Sequence, residues 1–211
     1  MKMPVAHKNG RNYGHGASEW PVVPLSDREV SPEIIAACRA GDREAIRVLY
    51  DTYKDRVYSV ALYFFHGDES VAADVTQQVF LKLITSIGQF KGDAAFSTWL
   101  YRLVVNACQD MARRRKSAAW TTERSRLEEF PMRGSQEDDY ARAEDARSVR
   151  DAVSELPPKL RMAVLLRYFD DLSYEQMAEV LHCSMGTVAS RLSRGHKRLA
   201  DRLKSLIGAK G

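Results

Sequence analysis

Apolar residues recur at steps of three and four along most of this chain, and that spacing constrains the fold more than any other feature. Such steps place apolar side chains on one face of an α-helix. No segment of note shows the alternation of apolar and polar residues that indicates a half-buried β-strand. The helical pattern covers residues 31–116 and residues 141–207. We therefore predict an all-α protein with two small helical domains.

The first segment, residues 31–116, predicts four helices joined by short loops. Ser31 and Asp42 are suitable N-caps, Gly41 is a suitable helix end, and Ser97 is expected to begin the fourth helix. The predicted buried stripes are Ile46, Leu49, Tyr50, Tyr53, Val57, Val60, Ala61 and Phe64 in the second helix, Ala72, Val75, Val79, Leu83, Ile84 and Ile87 in the third, and Leu100, Leu103, Val104, Ala107, Cys108 and Met111 in the fourth. Together these stripes predict a compact helical bundle.

The second segment, residues 141–207, ends in two helices joined by a tight turn. Ser173 is expected to begin a short helix, and Gln176 completes a capping box with it. The turn falls at residues 182–184, and the last helix is long and basic. A short helix, a tight turn and a longer helix form the pattern of a helix-turn-helix motif.

Two further segments lack helical periodicity. Residues 1–30 contain several Pro and Gly residues, and we predict a disordered arm there. Residues 117–140 are rich in Glu and Asp, with Pro and Gly as breakers. We predict that this stretch is a flexible acidic linker between the two domains.

The last helix carries candidate contacts to duplex DNA, because side chains near the start of such a helix reach base edges in the major groove. Arginine suits guanine because its guanidinium meets two acceptors at once. The candidates are Thr187, Ser190, Arg191, Arg194, Lys197 and Arg198. The alternative is a solvated basic face on an ordinary three-helix bundle. The net charge of +4 permits nucleic-acid binding without establishing it.

The fourth helix of the first domain, with the loop before it, combines aromatic, amide and basic residues. In single-stranded DNA recognition, aromatic rings stack on bases, amides read exposed base edges and cations hold phosphates. The candidates are Lys91, Phe96, Arg102, Asn106, Arg113 and Arg114. For Phe96 and Trp99 the alternative is packing in the core.

The third helix has an outer face of mainly uncharged polar residues around an exposed leucine. Its members are Asp74, Gln77, Gln78 and Leu81. An exposed leucine in such surroundings indicates a protein-binding face, and a solvated face is the alternative.

Nothing in the sequence indicates an enzyme, a metal protein or a membrane protein. The motifs of metalloproteases, serine hydrolases and phosphate-binding loops are absent, so we expect no catalytic residue and no cofactor. Cys38, Cys108 and Cys183 are widely spaced and odd in number, which argues against a disulfide scaffold and a Cys-built zinc site. We interpret His182 and Cys183 as turn residues. Without a long apolar run or a signal peptide, we expect a cytoplasmic protein with no direct membrane insertion.

Several motifs resemble segments of a known family. Residues 74–80 (DVTQQVF) resemble the polymerase-binding segment of bacterial sigma factors, and residues 96–102 (FSTWLYR) with Asn106 resemble their promoter-melting and −10-reading helix. Residues 172–178 (LSYEQMA) and 186–194 (GTVASRLSR) resemble their −35-reading domain. The order, the linker and the size resemble the extracytoplasmic-function group of the sigma-70 family, which keeps only the second and fourth sigma domains.

The resemblance implies an alternative sigma factor that binds core RNA polymerase, directs promoter-specific transcription initiation and assists promoter melting. The three candidate faces would then bind duplex −35 DNA, single-stranded −10 DNA and core polymerase, and Asn106 with the loop near residues 89–97 would hold an extruded base. The acidic linker would run through a polymerase channel, and an anti-sigma factor would hold the protein inactive. Three positions depart from the family pattern: Gln78 replaces a frequent Glu, His182 replaces a frequent Gly, and the turn near Met185 lacks the Pro or Val that is frequent there.

Two other functions stay open from the residues alone. One is a stand-alone helix-turn-helix transcriptional regulator that acts without polymerase docking; it would need its own dimer interface, for which no heptads are present. The other is an enzyme with an appended DNA-binding domain, although the first domain lacks paired acids or a nucleophile with its base.

Overall fold

Helices form the framework of the computed structural model, which describes residues 30–121, 148–169 and 171–208, with side chains up to residues 117 and 204 in the first and last ranges. The helices are α1 (Pro32–Arg39), α2 (Arg43–Phe64), α3 (Glu69–Ser86), α4 (Phe96–Thr121), α5 (residues 148–154), α6 (Pro158–Phe169), α7 (Tyr174–Val180) and α8 (Met185–Gly208). A 3₁₀ turn, Ile87–Gln89, follows α3. Within these ranges there is no β-strand, and the all-α prediction is confirmed. The predicted arm and most of the predicted linker lie outside the described residues.

Of the two predicted caps, Asp42 forms the cap of α2, whereas Ser31 takes the N-cap position of α1 without a side-chain cap hydrogen bond. The Asp42 carboxylate accepts hydrogen bonds from the backbone N–H groups of Glu44 and Ala45 at 2.8 and 3.1 Å. Gly41, with a φ of 84°, makes the sharp turn from α1 into α2 that a side chain would disfavour. Asp68 caps α3 in the same manner as Asp42 caps α2. These short-range interactions explain why the sequence alone located the helix starts.

The fourth helix differs from its prediction at both ends. It begins at Phe96 and not at Ser97, whose side chain is buried. At its other end α4 runs to Thr121, past residue 116, where the first domain was predicted to end. The first residues of the predicted linker therefore continue a helix.

The core of the first domain follows the predicted stripes with two exceptions. Tyr53, Leu83 and Leu100 have almost no exposed surface. Tyr50 and Ile84 were predicted to be buried but are 43% and 44% exposed. Both lie at the outer edge of the contact between α2 and α3, on the side that carries Leu81, where no described element covers them.

The second domain contains the predicted helix-turn-helix, formed by α7 and α8. Ser173 accepts a hydrogen bond from the Gln176 backbone N–H at 3.2 Å, and the Gln176 side chain accepts from the Ser173 N–H at 2.8 Å, so the capping box is confirmed. His182 has a φ of 48°, as expected for the turn. Gly195 lets α8 approach α6 closely, because a Cβ there would lie only 2.9 Å from Val164 Cγ2.

The two domains also pack against each other, which the sequence did not predict. Helix α6 packs on α2, and α7 packs on α4. Buried apolar residues of both domains belong to one continuous cluster. Periodicity identifies the buried face of each helix but does not tell which domain covers it, so a tethered pair and a packed pair look alike in sequence.

Candidate nucleic-acid and polymerase interfaces

The outer side of α8 brings together all six predicted duplex-DNA contacts on one continuous helix. Positions separated by three and four residues share a helix face. This basic face of α8 consists of Thr187, Ser190, Arg191, Arg194, Lys197 and Arg198, of which Thr187 and Arg191 are partly exposed and the others exposed. In the part of the chain that the structure describes, none of its four cations forms an ion pair. Their charges are therefore available to a ligand.

The start of α8 is held rigidly beneath this face. Ser184 Oγ accepts a hydrogen bond from the Thr187 N–H at 3.2 Å, and the two side-chain hydroxyls lie 3.0 Å apart. Val188 and Leu192 on the opposite side are buried. The helix thus presents its polar side outward with its first turn fixed, as insertion into a groove of DNA requires.

A groove between α8 and the start of α6 extends the basic face. Lys159 lines this groove together with Arg191, Arg194, Lys197 and Arg198, and Asp201 is the acidic residue of the lining. Lys159 is exposed and was not predicted. The helix-turn-helix motif does not reveal Lys159, because this residue precedes the motif. It joins the basic face only through the packing of α6 on α8.

The outer side of α4 presents the amide and most of the basic groups predicted to bind single-stranded DNA. Asn106, Arg113 and Arg114 are exposed on α4, and Lys91 is exposed in the preceding loop. Arg113 contacts Asp110 on its own helix. These residues form, with Arg102, the α4 face.

Arg102 is the member of the α4 face that forms an ion pair with the other domain. Its Nη2 atom lies 3.2 Å from Glu179 Oε2 on α7, in the other domain. About a third of the Arg102 side chain is exposed, against about half of Glu179. This contact was not predicted, because the two residues are 77 positions apart in the chain.

The structure corrects the assignment of Phe96 as a DNA-stacking residue. Phe96 is only 4% exposed, and its ring packs against the rings of Phe90, Trp99 and Tyr53 at centroid distances of 5.3, 5.6 and 5.7 Å. The ring has no free surface for a base. Phe96 therefore packs in the core, which was the alternative to base stacking, and it anchors the loop before α4.

The same loop is braced from α1. Arg39 donates a hydrogen bond from Nη2 to the Phe90 carbonyl and lies with its guanidinium 5.8 Å from the centre of the Phe90 ring. Arg39 is a positioning residue that the sequence did not reveal, since an arginine at the end of a helix usually faces solvent. The loop that carries Lys91 is therefore fixed on both sides.

The outer side of α3 presents the predicted protein-binding residues beside an apolar groove. Asp74, Gln77 and Leu81 are exposed, and Gln78 is partly exposed. Leu81 has 57% of its surface exposed. The groove between α2 and α3 is lined by Tyr50, Ala73, Thr76, Gln77, Phe80, Leu81 and Ile84. Tyr50 and Ile84, assigned to the core from their spacing, thus enlarge the exposed apolar part of this α3 face.

A buried arginine joins the two domains at the end of α2. Arg161 on α6 is 4% exposed, and its Nη1 donates to the Phe64 carbonyl at 2.5 Å and lies 2.9 Å from His66 Nε2. Its Nη2 donates to the carbonyls of Leu156, at 2.8 Å, and Ser154. Burial lowers the pKa of Arg161 to about 10, so its charge is retained at neutral pH. The sequence signal for this residue is that Arg161 is the single charged residue among residues 160–166.

Two side chains of the first domain complete this junction. The Tyr63 ring packs on Phe169 with a centroid distance of 4.7 Å, and burial raises the pKa of Tyr63 to about 12. Partial burial and the positive charges of Arg161 and Arg115 lower the pKa of His66. His66 is therefore held neutral, and its Nε2 atom can accept a hydrogen bond from Arg161.

Two of the three cysteines lie in the core, and Cys183 lies partly exposed in the turn before α8. Cys38 and Cys108 are buried, and burial raises the pKa of Cys108 to about 12. Among the residues with described side chains, no three His, Cys, Asp or Glu are grouped as a metal site would require. No helix in the described ranges has the length and apolar character needed to cross a membrane.

Comparison with known proteins identifies the two domains. Residues 49–118 match the family described as Sigma-70 region 2, and residues 146–199 match Sigma-70, region 4. The chain is 31% identical over 188 residues to the RNA polymerase sigma-H factor of Pseudomonas aeruginosa, covering 85% of this chain and 97% of that protein. It is 32% identical over 192 residues to the ECF RNA polymerase sigma-E factor of Escherichia coli strain K12, covering 87% and 99%.

Solved structures show a similar fold. The structure of CnrH in complex with the cytosolic domain of CnrY aligns with a TM-score of 0.62 and 23% identity, covering 82% of this chain and 96% of that one. The sigma factor RpoE in complex with the anti-sigma factor NepR from Bartonella quintana aligns with a TM-score of 0.64 and 22% identity, covering 75% and 96%.

An all-α pair of domains with a helix-turn-helix, matched along most of its length by sigma factors, defines the class of this protein: it is a transcription initiation factor and not an enzyme. The chain belongs to the extracytoplasmic-function group of the sigma-70 family. These findings support an alternative sigma factor and not the stand-alone regulator.

Proposed function

We propose that this sigma factor divides promoter recognition between its two exposed nucleic-acid faces and binds core RNA polymerase through the α3 face. The observation that carries the proposal is the placement of two basic faces on different helices of different domains. One lies on the second helix of a helix-turn-helix, and the other combines cations with an exposed amide. We infer that the functional domains are residues 31–116 and 141–207, joined by the linker 117–140, of which residues 117–121 continue α4.

The basic face of α8 reads the duplex −35 element. Paired bases show a distinct donor and acceptor pattern in the major groove, which Arg191 and Arg194 can read. Lys197 and Arg198 lie further along the helix, where they contact phosphates and fix the register. Lys159 adds a phosphate contact from α6. The unpaired cations of this face support this assignment.

The α4 face binds the single-stranded −10 element. Asn106 can form hydrogen bonds with the exposed edge of a base that has left the stack, and this partly offsets the cost of unstacking it. Arg102, Arg113, Arg114 and Lys91 hold the surrounding phosphates. Since Phe96 lies in the core, the loop near residues 89–97 acts as a braced rim to the base pocket and does not stack a base on that ring.

The α3 face binds core polymerase. Exposed Leu81, Tyr50 and Ile84 supply apolar surface at the centre, and Asp74, Gln77 and Gln78 surround it with polar groups. Interfaces are commonly built this way, with an apolar core and a polar rim. Gln78 removes a negative charge that the family often has there, so shape and apolar contact carry more of the binding.

The remaining parts of the proposal concern partners and place of action. We infer that the protein acts in the cytoplasm, where its polymerase and promoter DNA are found. A co-expressed anti-sigma factor is expected to block core binding. The similar sigma factor RpoE of Bartonella quintana was solved in complex with the anti-sigma factor NepR, which supports a partner of this class.

Core binding tests the proposal with a single substitution. Leu81→Arg places a charge at the centre of the α3 face and is expected to abolish co-purification with core polymerase, because an unpaired charge in an apolar contact is costly. Val48→Arg is the matched control, since Val48 is a 45% exposed aliphatic residue of the same domain outside the groove. A folded Leu81→Arg protein that binds core as the control does would refute the assignment of the α3 face.

A further inference from the structure

Aromatic rings hold both ends of the short loop that joins the 3₁₀ turn to α4. Phe90 precedes this loop and Phe96 begins α4; both side chains are buried, and their ring centroids lie 5.3 Å apart. Trp99, in the first turn of α4, packs on both rings with centroid distances of 5.6 Å. Residues 91–95 between the two phenylalanines, the loop rim, begin with the exposed Lys91. The position of the loop rim therefore depends on how firmly Phe90 is held.

Arg39, the last residue of α1, holds Phe90 from the outside. Its Nη2 donates a hydrogen bond to the Phe90 carbonyl, and its Nε lies 3.5 Å from the Ile87 carbonyl oxygen. The guanidinium carbon lies 5.8 Å from the centre of the Phe90 ring. The Ile87 carbonyl also accepts the Phe90 N–H at 3.2 Å. One side chain thus contacts the backbone at the start of the 3₁₀ turn and just after it, together with the ring that ends it.

Helix α1 is a firm support for this contact. Ile35 and Cys38 of α1 are buried in the core, and α1 packs on both α2 and the 3₁₀ turn. Arg39 itself is exposed, so that its removal leaves no cavity in the core. Water can reach the carbonyl that loses its donor, and the expected consequence is a looser loop in a folded domain.

We propose that Arg39 is a positioning residue for promoter opening, which holds the loop rim where the rim can enclose the extruded −10 base. The inference rests on the proposed −10 role of the α4 face and of the loop before it. Arg39 acts through Phe90 and touches no DNA. A loop that is already in place loses little conformational freedom when the base enters, so less of the binding free energy is spent on ordering it.

A direct phosphate contact is the other role that an exposed arginine near Lys91 can have, and salt dependence separates the two. A side chain that neutralises a phosphate releases counterions, and its loss lowers the slope of log affinity against log salt by about one. A contact made within the protein releases none. Loss of a positioning residue therefore weakens binding equally at every salt concentration.

Arg39→Met provides the test, because it removes the donors and the charge and keeps a long side chain. Its holoenzyme should bind the single −10 strand about three- to tenfold more weakly, the range expected for loss of one intramolecular hydrogen bond, with an unchanged salt slope. Lys91→Met, in the loop rim, should lower the slope by about one. Arg47→Met is the control and should change neither quantity, since Arg47 lies on α2, is 73% exposed and pairs with Asp51 of its own helix.

Abasic sites placed singly along the −10 strand test whether Arg39 acts on the base pocket. Wild-type holoenzyme should lose most affinity when the extruded base is absent. Arg39→Met holoenzyme should lose less at the same position, because the two changes remove the same contact and are not additive. Lys91→Met should keep the full abasic loss, and Arg39→Lys, which retains a donor and the charge, should lie between wild type and Arg39→Met. Unchanged co-purification with core polymerase and unchanged duplex −35 binding would show that the variants are folded.

The inference is overturned if Arg39→Met lowers the salt slope as Lys91→Met does, if its loss adds in full to the abasic loss, or if it binds the single strand as Arg47→Met does. Failure of the proposed −10 role would look different. In that case neither Asn106→Ala nor any abasic position would weaken binding of the single strand, whichever residue stands at position 39.

Discussion

The outer sides of α4 and α8 look alike in sequence, since each is a long helix with polar and basic residues opposite a buried stripe. In the structure they differ in whether their cations contact the other domain. In the described residues the four cations of the basic face of α8 form no ion pair. On α4, Arg102 is paired with Glu179 of the other domain. The exposure of a basic face therefore depends on the domain arrangement as much as on the helix itself. Under the proposed assignment, the surface that reads duplex DNA is open in this arrangement, and the surface for melted DNA is in part engaged by the other domain.

The largest effect is expected on removing the junction that holds the two domains together. Arg161→Leu leaves the buried carbonyls of Phe64, Ser154 and Leu156 without their donor. We expect a loss of about 3 kcal/mol in the free energy of unfolding, measured by urea denaturation. Arg167→Leu, which removes a partly exposed arginine of the same helix, should cost at most about 1 kcal/mol. Equal losses for the two variants would show that Arg161 is not the anchor of the junction.

A smaller effect is expected on removing one cation from the basic face of α8. Arg194→Ala should weaken holoenzyme binding to a duplex −35 element by about 1–3 kcal/mol if the side chain reads a base, and reduce the salt dependence by about one phosphate contact if it does not. The measurement is the dissociation constant at several salt concentrations. The promoter fragment is selected from genomic DNA with wild-type holoenzyme. Arg202→Ala is the matched control, because Arg202 lies on α8 but pairs with Glu155 at 2.7 Å. If Arg194→Ala leaves both the affinity and the salt dependence unchanged, Arg194 does not contact the DNA.

The smallest expected effect is a pH dependence of the junction. The pKa of His66 lies below its usual value in the folded chain, so the neutral form is favoured on folding. The stabilisation is present above the unfolded pKa, about 6.5, and is lost as the pH falls toward the lowered folded value. Between pH 7.5 and pH 5 the wild type should therefore lose more stability than His66→Asn, a variant that keeps an acceptor and tolerates the φ of 62°. A difference of the opposite sign in thermal unfolding would contradict the neutral His66.

The parts of the structure that sequence predicted are those governed by neighbours in the chain. The Asp42 cap, the capping box of Ser173 with Gln176 and the positive φ of His182 all follow from interactions within a few residues. For the same reason the six residues on α8 could be placed on one face. Helical spacing, once the helix is established, fixes their common side.

The parts that could not be predicted depend on which helices meet. Phe96 is an aromatic residue among amide and basic residues, as a base-stacking residue would be. Only the positions of Phe90, Trp99 and Tyr53 show that its ring lies in the core. Tyr50 and Ile84 fit a buried stripe, but no described element covers that edge. Contacts between residues far apart in the chain, such as Arg102 with Glu179, leave no periodic signal in the sequence.

The most direct test of the two-site account compares Asn106→Ala and Arg191→Ala holoenzymes on three templates from one promoter: full duplex, a premelted −10 bubble and the single −10 strand. Arg191→Ala should weaken binding to the duplex, and the bubble should not restore it, because the lost contact lies at the −35 element. Asn106→Ala should leave duplex binding nearly unchanged, reduce open-complex formation and weaken binding to the single strand. Gln109→Ala, which removes an exposed amide one turn from Asn106, is the control. If Asn106→Ala and Arg191→Ala show the same pattern on all three templates, the division of promoter recognition between α4 and α8 is wrong.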